Sequence, residues 1–134
     1  MIDQEIVFLS SPDPEQQRQI DSIARSQLND YEFAGEVSPI GTVVALGAGG
    51  VEGFIEFGEK TFNPDVAIIT RLAVRKELQG QGIGTELTIR VLDELRGFGK
   101  SRAEFESDGD AVDYYIRLGF EQDPFEPLQF SQDL

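Results

Sequence analysis

The sequence predicts an α/β protein, with one mixed sheet and helices packed on its faces. Three observations lead there. The chain has 134 residues, 40% hydrophobic and 27% charged, the size and composition of a single ordinary domain spanning 1–134. Apolar runs of strand length alternate with segments in which apolar residues recur at helical spacing. Glycines and prolines fall between these segments, and no repeat, low-complexity tract or interdomain linker interrupts them.

Ile6-Val7-Phe8-Leu9 is a short apolar run that reads as an opening strand, ended by Ser10-Ser11-Pro12. Asp13 then caps a helix, with Pro14 at its first position and Gln16 three residues after the cap. Ile20, Ile23, Ala24 and Leu28 follow on one stripe. Asn29 to Gly35 reads as irregular chain or one further short turn, with Tyr31 and Phe33 at the edge of the core or on a substrate wall. Thr42–Leu46 and Val51–Phe57 read as strands joined across Gly47-Ala48-Gly49-Gly50, a hairpin signal. Those glycines do not make a dinucleotide site: the G-x-G-x-x-G spacing is missing, and a strand follows where a helix should begin.

A long turn containing Asn63-Pro64 is expected next, leading into Val66–Val74, whose nearly continuous apolar run suits a central strand buried on both faces. Beyond Gln79–Gly84, a helix carries Ile83, Leu87, Val91, Leu92 and Leu95 on one side and ends near Gly97 and Gly99. A short strand around Ala103-Glu104-Phe105 comes next. Asp108 then caps a last helix holding Ala111, Tyr114, Tyr115 and Leu118, stopped by Gly119. From Phe120 the chain reads as strand interrupted by Pro124 and Pro127, with Leu128 and Phe130 closing the sheet.

Composition narrows the chemistry. With 25 acids against 11 bases the formal net charge is -14, which disfavours nucleic acid and anionic membrane as partners. The acidic surface either serves solubility, as in a salty cytoplasm, or attracts a cationic amine. The chain has neither cysteine nor histidine, so disulfides and thiolate catalysis are excluded, no metal site is expected, and any general base must be another residue type. No apolar run approaches the roughly 18 residues that cross a bilayer. Met1–Glu5 carries acid where a secretory signal carries base, so the expected location is cytoplasmic.

The stretch that carries chemistry is Val74–Gly84, Val-Arg-Lys-Glu-Leu-Gln-Gly-Gln-Gly-Ile-Gly, between a buried strand and an amphipathic helix. Gly80, Gly82 and Gly84 remove the side chains that would keep the backbone away from a ligand. A helix start offers unpaired N–H groups and the positive end of the peptide dipole, which suit a phosphate or pyrophosphate. Arg71, Arg75 and Lys76 lie just upstream as a cationic cluster in an anionic chain. The same glycines could also serve only to pack strand against helix.

Gln79-x-x-Gly82-x-Gly84 resembles the Q/R-x-x-G-x-G/A acyl-coenzyme A loop of the GNAT acetyltransferases, in its usual frame after Leu72-Ala73-Val74 and before a long helix. Ala111–Phe120, Ala-Val-Asp-Tyr-Tyr-Ile-Arg-Leu-Gly-Phe, is similar to that family's second signature, an aromatic pair, three residues and Gly-Phe. Gly53-Phe54-Ile55 fits its middle strands. The resemblance runs in order over nearly the whole chain and implies the GNAT fold, with a mostly antiparallel sheet.

It further implies an N-acetyltransferase that uses acetyl-coenzyme A and an amine acceptor in a ternary complex, without metal. The backbone N–H groups of Gln79, Gly80, Gln81, Gly82, Ile83 and Gly84 would hold the pyrophosphate. The main chain of Leu72 and Val74 would bind the pantetheine arm as an added strand. The Leu72 N–H would also polarise the thioester carbonyl. Tyr115 would protonate the departing thiolate, and Tyr114 would fill the core. The chain departs from the family's common pattern at Asp108, where asparagine is frequent, and at Ile68, where some members carry a catalytic glutamate. Glu56, Glu104 and Glu106 are the remaining acids near the expected cleft. A non-catalytic acyl-coenzyme A sensor and a protein N-terminal acetyltransferase stay open beside a small-amine acetyltransferase, as does a homodimer.

Overall fold

The computed structural model describes residues 5–27, 37–106 and 112–134. In chain order these form β1 (Glu5–Leu9), α1 (Pro14–Gln27), β2 (Val37–Gly47), β3 (Gly50–Lys60), β4 (Asn63–Val74), a 3-10 turn (Lys76–Leu78), α2 (Ile83–Gly97), β5 (Arg102–Glu106), α3 (Val112–Arg117), β6 (Glu121–Gln122) and β7 (Gln129–Asp133). One seven-stranded sheet has the order β1-β2-β3-β4-β5-β7-β6. Every neighbouring pair is antiparallel except β4 and β5, which α2 joins as a parallel crossover.

The start of α1 follows its capping signal. Asp13 N–H donates to Gln16 Oε1 at 3.0 Å, and Gln16 N–H donates to Asp13 Oδ1 at 2.8 Å, the reciprocal bonds of a capping box. Asp13→Ala is expected to cost about 1 kcal/mol of stability, because a helix N–H then loses its acceptor. Urea unfolding of the two proteins measures it, and an unchanged midpoint would mean that water replaces the cap at no cost.

Strand alternation divides the core in two. Val43, Ala45, Ile55, Phe57 and Ile69 pack with Ile83, Leu87, Val91 and Leu95 of α2. Val44, Val51, Phe54 and Ala73 point to the other face and pack with Ile20, Ile23 and Ala24 of α1. Gln19 Oε1 fixes α1 to the sheet by accepting the Val51 N–H at 2.7 Å. Toward the far edge, Phe105 is the hub of an aromatic cluster, with ring centroids 4.2 Å from Tyr115, 4.8 Å from Phe120 and 5.3 Å from Phe130.

The structure corrects several sequence expectations. The expected long turn at Asn63-Pro64 is strand: Asn63 pairs with Lys60 across a tight turn at Thr61 and Phe62. Pro64 is accommodated because it falls in the register shift between Asn63 and Ala67, where its missing N–H breaks no ladder bond. The helix expected beyond Gln79–Gly84 and carrying Ile83 begins at Ile83, and an unforeseen 3-10 turn precedes the glycine loop. The terminal strand is two strands, and β7 inserts between β5 and β6. Leu28, Tyr31, Phe33, the Asp108 cap and Ala111 lie outside the described residues.

Candidate functional site

A cleft forms where β4 outruns its neighbour. Val66–Ile69 pair with Arg102–Phe105 of β5, but β4 continues to Val74 with only β3 beside it. A register shift between Glu56 and Phe57 leaves Thr70 as the extra residue of a bulge, a feature that turns the rest of a strand. Arg75 N–H donates to Glu52 C=O at 2.9 Å, so Arg75 and Ala73 point their backbone groups at β3. By strand alternation Leu72 and Val74 point theirs to the edge that β5 has left. This is a short stretch of sheet edge, open for an extended ligand to pair with.

The edge ends at the glycine loop. Gly80 and Gly82 adopt φ of +84° and +85°, a left-handed conformation that glycine takes without strain. A Cβ built on either would meet nothing within 4 Å, so the space above both is clear. Gly82 occupies the N-cap position of α2 and supplies no side-chain cap. Among the described residues, the first-turn N–H groups of α2 therefore face the cleft without a capping oxygen. Gln79 closes the corner by donating from Nε2 to Val74 C=O at 3.1 Å. The cleft encloses about 510 Å³, with Leu72, Val74, Leu78, Gly82, Tyr114 and Tyr115 on its walls. Among the described residues, none that lines it is charged.

That last fact overturns the expected cationic cluster. Arg71 lies on the α1 face, where it pairs with Glu56, sits 4.0 Å from Asp21 and has its guanidinium carbon 5.3 Å from the Phe54 ring centre. The hydrogen bond it donates to Glu56 raises its pKa against the opposing effect of burial. Arg75 and Lys76 open onto a different groove, beside α1. The three are consecutive cations in sequence, but strand alternation and the turn after Val74 send them away from the cleft.

The tyrosine pair also differs in part from expectation. Tyr115 lines the cleft, and its ring packs against the core through Phe105. Tyr114, expected to fill the core, instead places its hydroxyl 2.8 Å from Thr85 Oγ1 in the first turn of α2. Both rings line the cleft, with centroids 5.2 Å apart, and Phe105 packs against Tyr115. Thr85 carried no sequence signal, since one hydroxyl on a helix is unremarkable until its partner is placed.

The acids near the sheet are engaged. Glu56 is bound by Arg71, and Glu104 lies 2.6 Å from Lys60 and 3.1 Å from Arg102. Ile68, fully buried, pairs in register with Glu104. Glu106 is exposed at the end of β5.

This architecture, an open strand edge leading to an uncapped helix start, suits a ligand with an extended amide-bearing arm and a phosphate group. The model of the Acetyltransferase (GNAT) family matches residues 4–120, and the chain belongs to that family. The acyltransferase class and the fold follow with it.

Among solved structures, Ard1 from Thermoplasma volcanium aligns with a TM-score of 0.76 at 18% identity, covering 98% of this chain and 97% of that one. The GNAT family N-acetyltransferase YhbS from Escherichia coli, in complex with CoA, aligns with a TM-score of 0.75 at 21% identity, covering 99% and 82%. A GNAT family acetyltransferase from Brucella melitensis, in complex with acetyl-CoA, aligns with a TM-score of 0.70 at 18% identity, covering 97% and 88%. In sequence, N-alpha-acetyltransferase 30 of Schizosaccharomyces pombe is 42% identical over 55 residues, which are 39% of this chain and 37% of that protein's length.

Proposed function

We propose that this protein transfers the acetyl group of acetyl-coenzyme A to a primary amine by direct attack in a ternary complex. The observation that carries the reading is the continuity of the open β4 edge with the uncapped start of α2. The coenzyme A complexes of similar folds support the same ligand class. Leu72 and Val74 offer main-chain partners to the pantetheine amides, as a neighbouring strand would. The N–H groups of Gln79–Gly84 receive the pyrophosphate, and the helix dipole substitutes for the missing cations.

Acetyl-coenzyme A supplies the acyl group as a thioester. The amine nitrogen bonds to the carbonyl carbon, and the Leu72 N–H stabilises the negative oxygen that develops there. As the C–S bond breaks, the Tyr115 hydroxyl gives its proton to the sulfur. The attacking nitrogen loses its own proton to water, and the Tyr115 phenolate regains a proton from water, which closes the cycle. Because Glu56 and Glu104 are held in ion pairs, the account assigns neither as base, and the amine binds in its neutral form. Holding both reactants together supplies much of the rate.

Two acceptor classes have support. The net charge of -14 favours a cationic small molecule such as a polyamine or an aminoglycoside. The 55-residue similarity to an N-alpha-acetyltransferase favours a protein N-terminus. Mass spectrometry of reactions with a polyamine, an aminoglycoside and short N-terminal peptides separates them. Acetylation of a polycation fits the charge argument, whereas acetylated peptides alone would set that argument aside.

A further inference from the structure

Arg75 and Lys76 do not serve the cleft, and the groove onto which they open has features of its own. It encloses about 540 Å³ between α1 and the 3-10 turn, within the size range of small-ligand pockets. Arg18 and Ser22 line it from α1, Gly49 from the β2–β3 turn, and Arg75, Lys76 and Glu77 from the other side. The Arg75 head is set over the turn: a Cβ on Gly49 would lie 3.8 Å from its Nη1, while its backbone is tied to Glu52.

Charge pairing makes this groove unusual in its chain. Acids outnumber bases 25 to 11, and among the described residues seven of the bases form ion pairs while Arg25, Arg75, Lys76 and Arg117 do not. Arg18 is committed to Glu15, whose carboxyl is held down to about 2 by that hydrogen bond and a second one from Gln19. Among the described residues, Arg75 and Lys76 form no ion pair, and they are adjacent on the wall of one groove.

We infer that this groove is a second anion site, separate from the acetyl-coenzyme A cleft, which takes a small oxyanion of the phosphate class. Two cationic side chains lining one groove can bind such a group with charge-assisted hydrogen bonds, and Ser22 lines the same groove. Glu77, also on the wall but in no ion pair with either cation, repels any anion and keeps the affinity weak. The site does not depend on the acyl-transfer reading, since its residues and the cleft residues are different sets.

The test is an amide NMR titration of the full chain with inorganic phosphate, with potassium chloride adjusted to hold ionic strength constant. It is run on the free protein, with saturating coenzyme A, and with saturating 3′-dephospho-coenzyme A. The expected result is saturable shifts at Ser22, Gly49 and Lys76, with a Kd on the order of 1 mM. These should persist in both coenzyme arms, and Arg75→Gln/Lys76→Gln should weaken them at least tenfold while leaving the melting temperature unchanged. Shifts confined to Gly80–Gly84, or shifts that survive the double substitution, would overturn the site. So would loss of the groove shifts with coenzyme A but not with the dephospho form, which would give the cations to the coenzyme's own 3′-phosphate.

Discussion

Gly82→Val is expected to weaken acetyl-coenzyme A binding at least a hundredfold while leaving a folded protein. Two effects act together. Gly82 has φ +85°, and a side chain there costs roughly 1–2 kcal/mol, with valine at the upper end because it is β-branched. This strain shifts melting by several degrees in a domain of this size. The larger effect is on the ligand. The clear space above Gly82 is where a pyrophosphate would approach the first-turn N–H groups, and a branched side chain occupies it. Gly82→Asn separates the two, because asparagine tolerates the left-handed region better yet still projects into the cleft. Calorimetry on both variants, each checked by its melting curve, decides the matter. Wild-type affinity in a folded Gly82→Val protein would move the pyrophosphate elsewhere.

Tyr115→Phe is expected to lower kcat by roughly 10²–10³, the usual contribution of a positioned general acid. Phenylalanine keeps the ring that packs 4.2 Å from Phe105, so the variant should stay folded and coenzyme affinity should hardly move. Tyr114→Phe should behave differently. It removes the 2.8 Å contact with Thr85 that ties α3 to the first turn of α2. The expected outcome is a rise of a few-fold in KM for acetyl-coenzyme A with kcat retained. Steady-state kinetics with a confirmed acceptor distinguishes the patterns, provided that pre-steady-state measurements show chemistry to be rate-limiting. Full turnover in Tyr115→Phe under that condition would place the proton donor elsewhere.

The signals that read correctly from sequence were local. Asp13-Pro14-x-Gln16 specified its capping box within four residues, and the apolar run from Val66 marked the centre of the sheet. Gly80 and Gly82 read as positions without side chains in the way of a ligand, and the structure adds that both take left-handed backbone. Features that depend on two elements at once were not legible. Arg71, Arg75 and Lys76 looked like one cluster because sequence proximity hides the alternation of a strand and the turn that follows it. Tyr114 and Tyr115 are neighbours on one short helix, and the positions of Phe105 and Thr85 divide their roles. Pro64 read as a turn because its tolerance rests on a register shift in β3. The open edge of β4 is set by where β5 stops, which periodicity does not report. Only the family resemblance pointed to it.

The central claim is amine-dependent acyl transfer at the cleft, and release of free thiol from acetyl-coenzyme A tests it most directly. The purified protein is mixed with acetyl-coenzyme A and a panel of polyamines, aminoglycosides and N-terminal peptides, and thiol is followed continuously. The account predicts release that requires an amine, scales with protein concentration, falls by roughly 10²–10³ in Tyr115→Phe and is lost in Gly82→Val. Tight coenzyme binding by the wild-type protein, with no thiol above the rate of spontaneous hydrolysis for any amine, would contradict it and leave a coenzyme-binding module in its place.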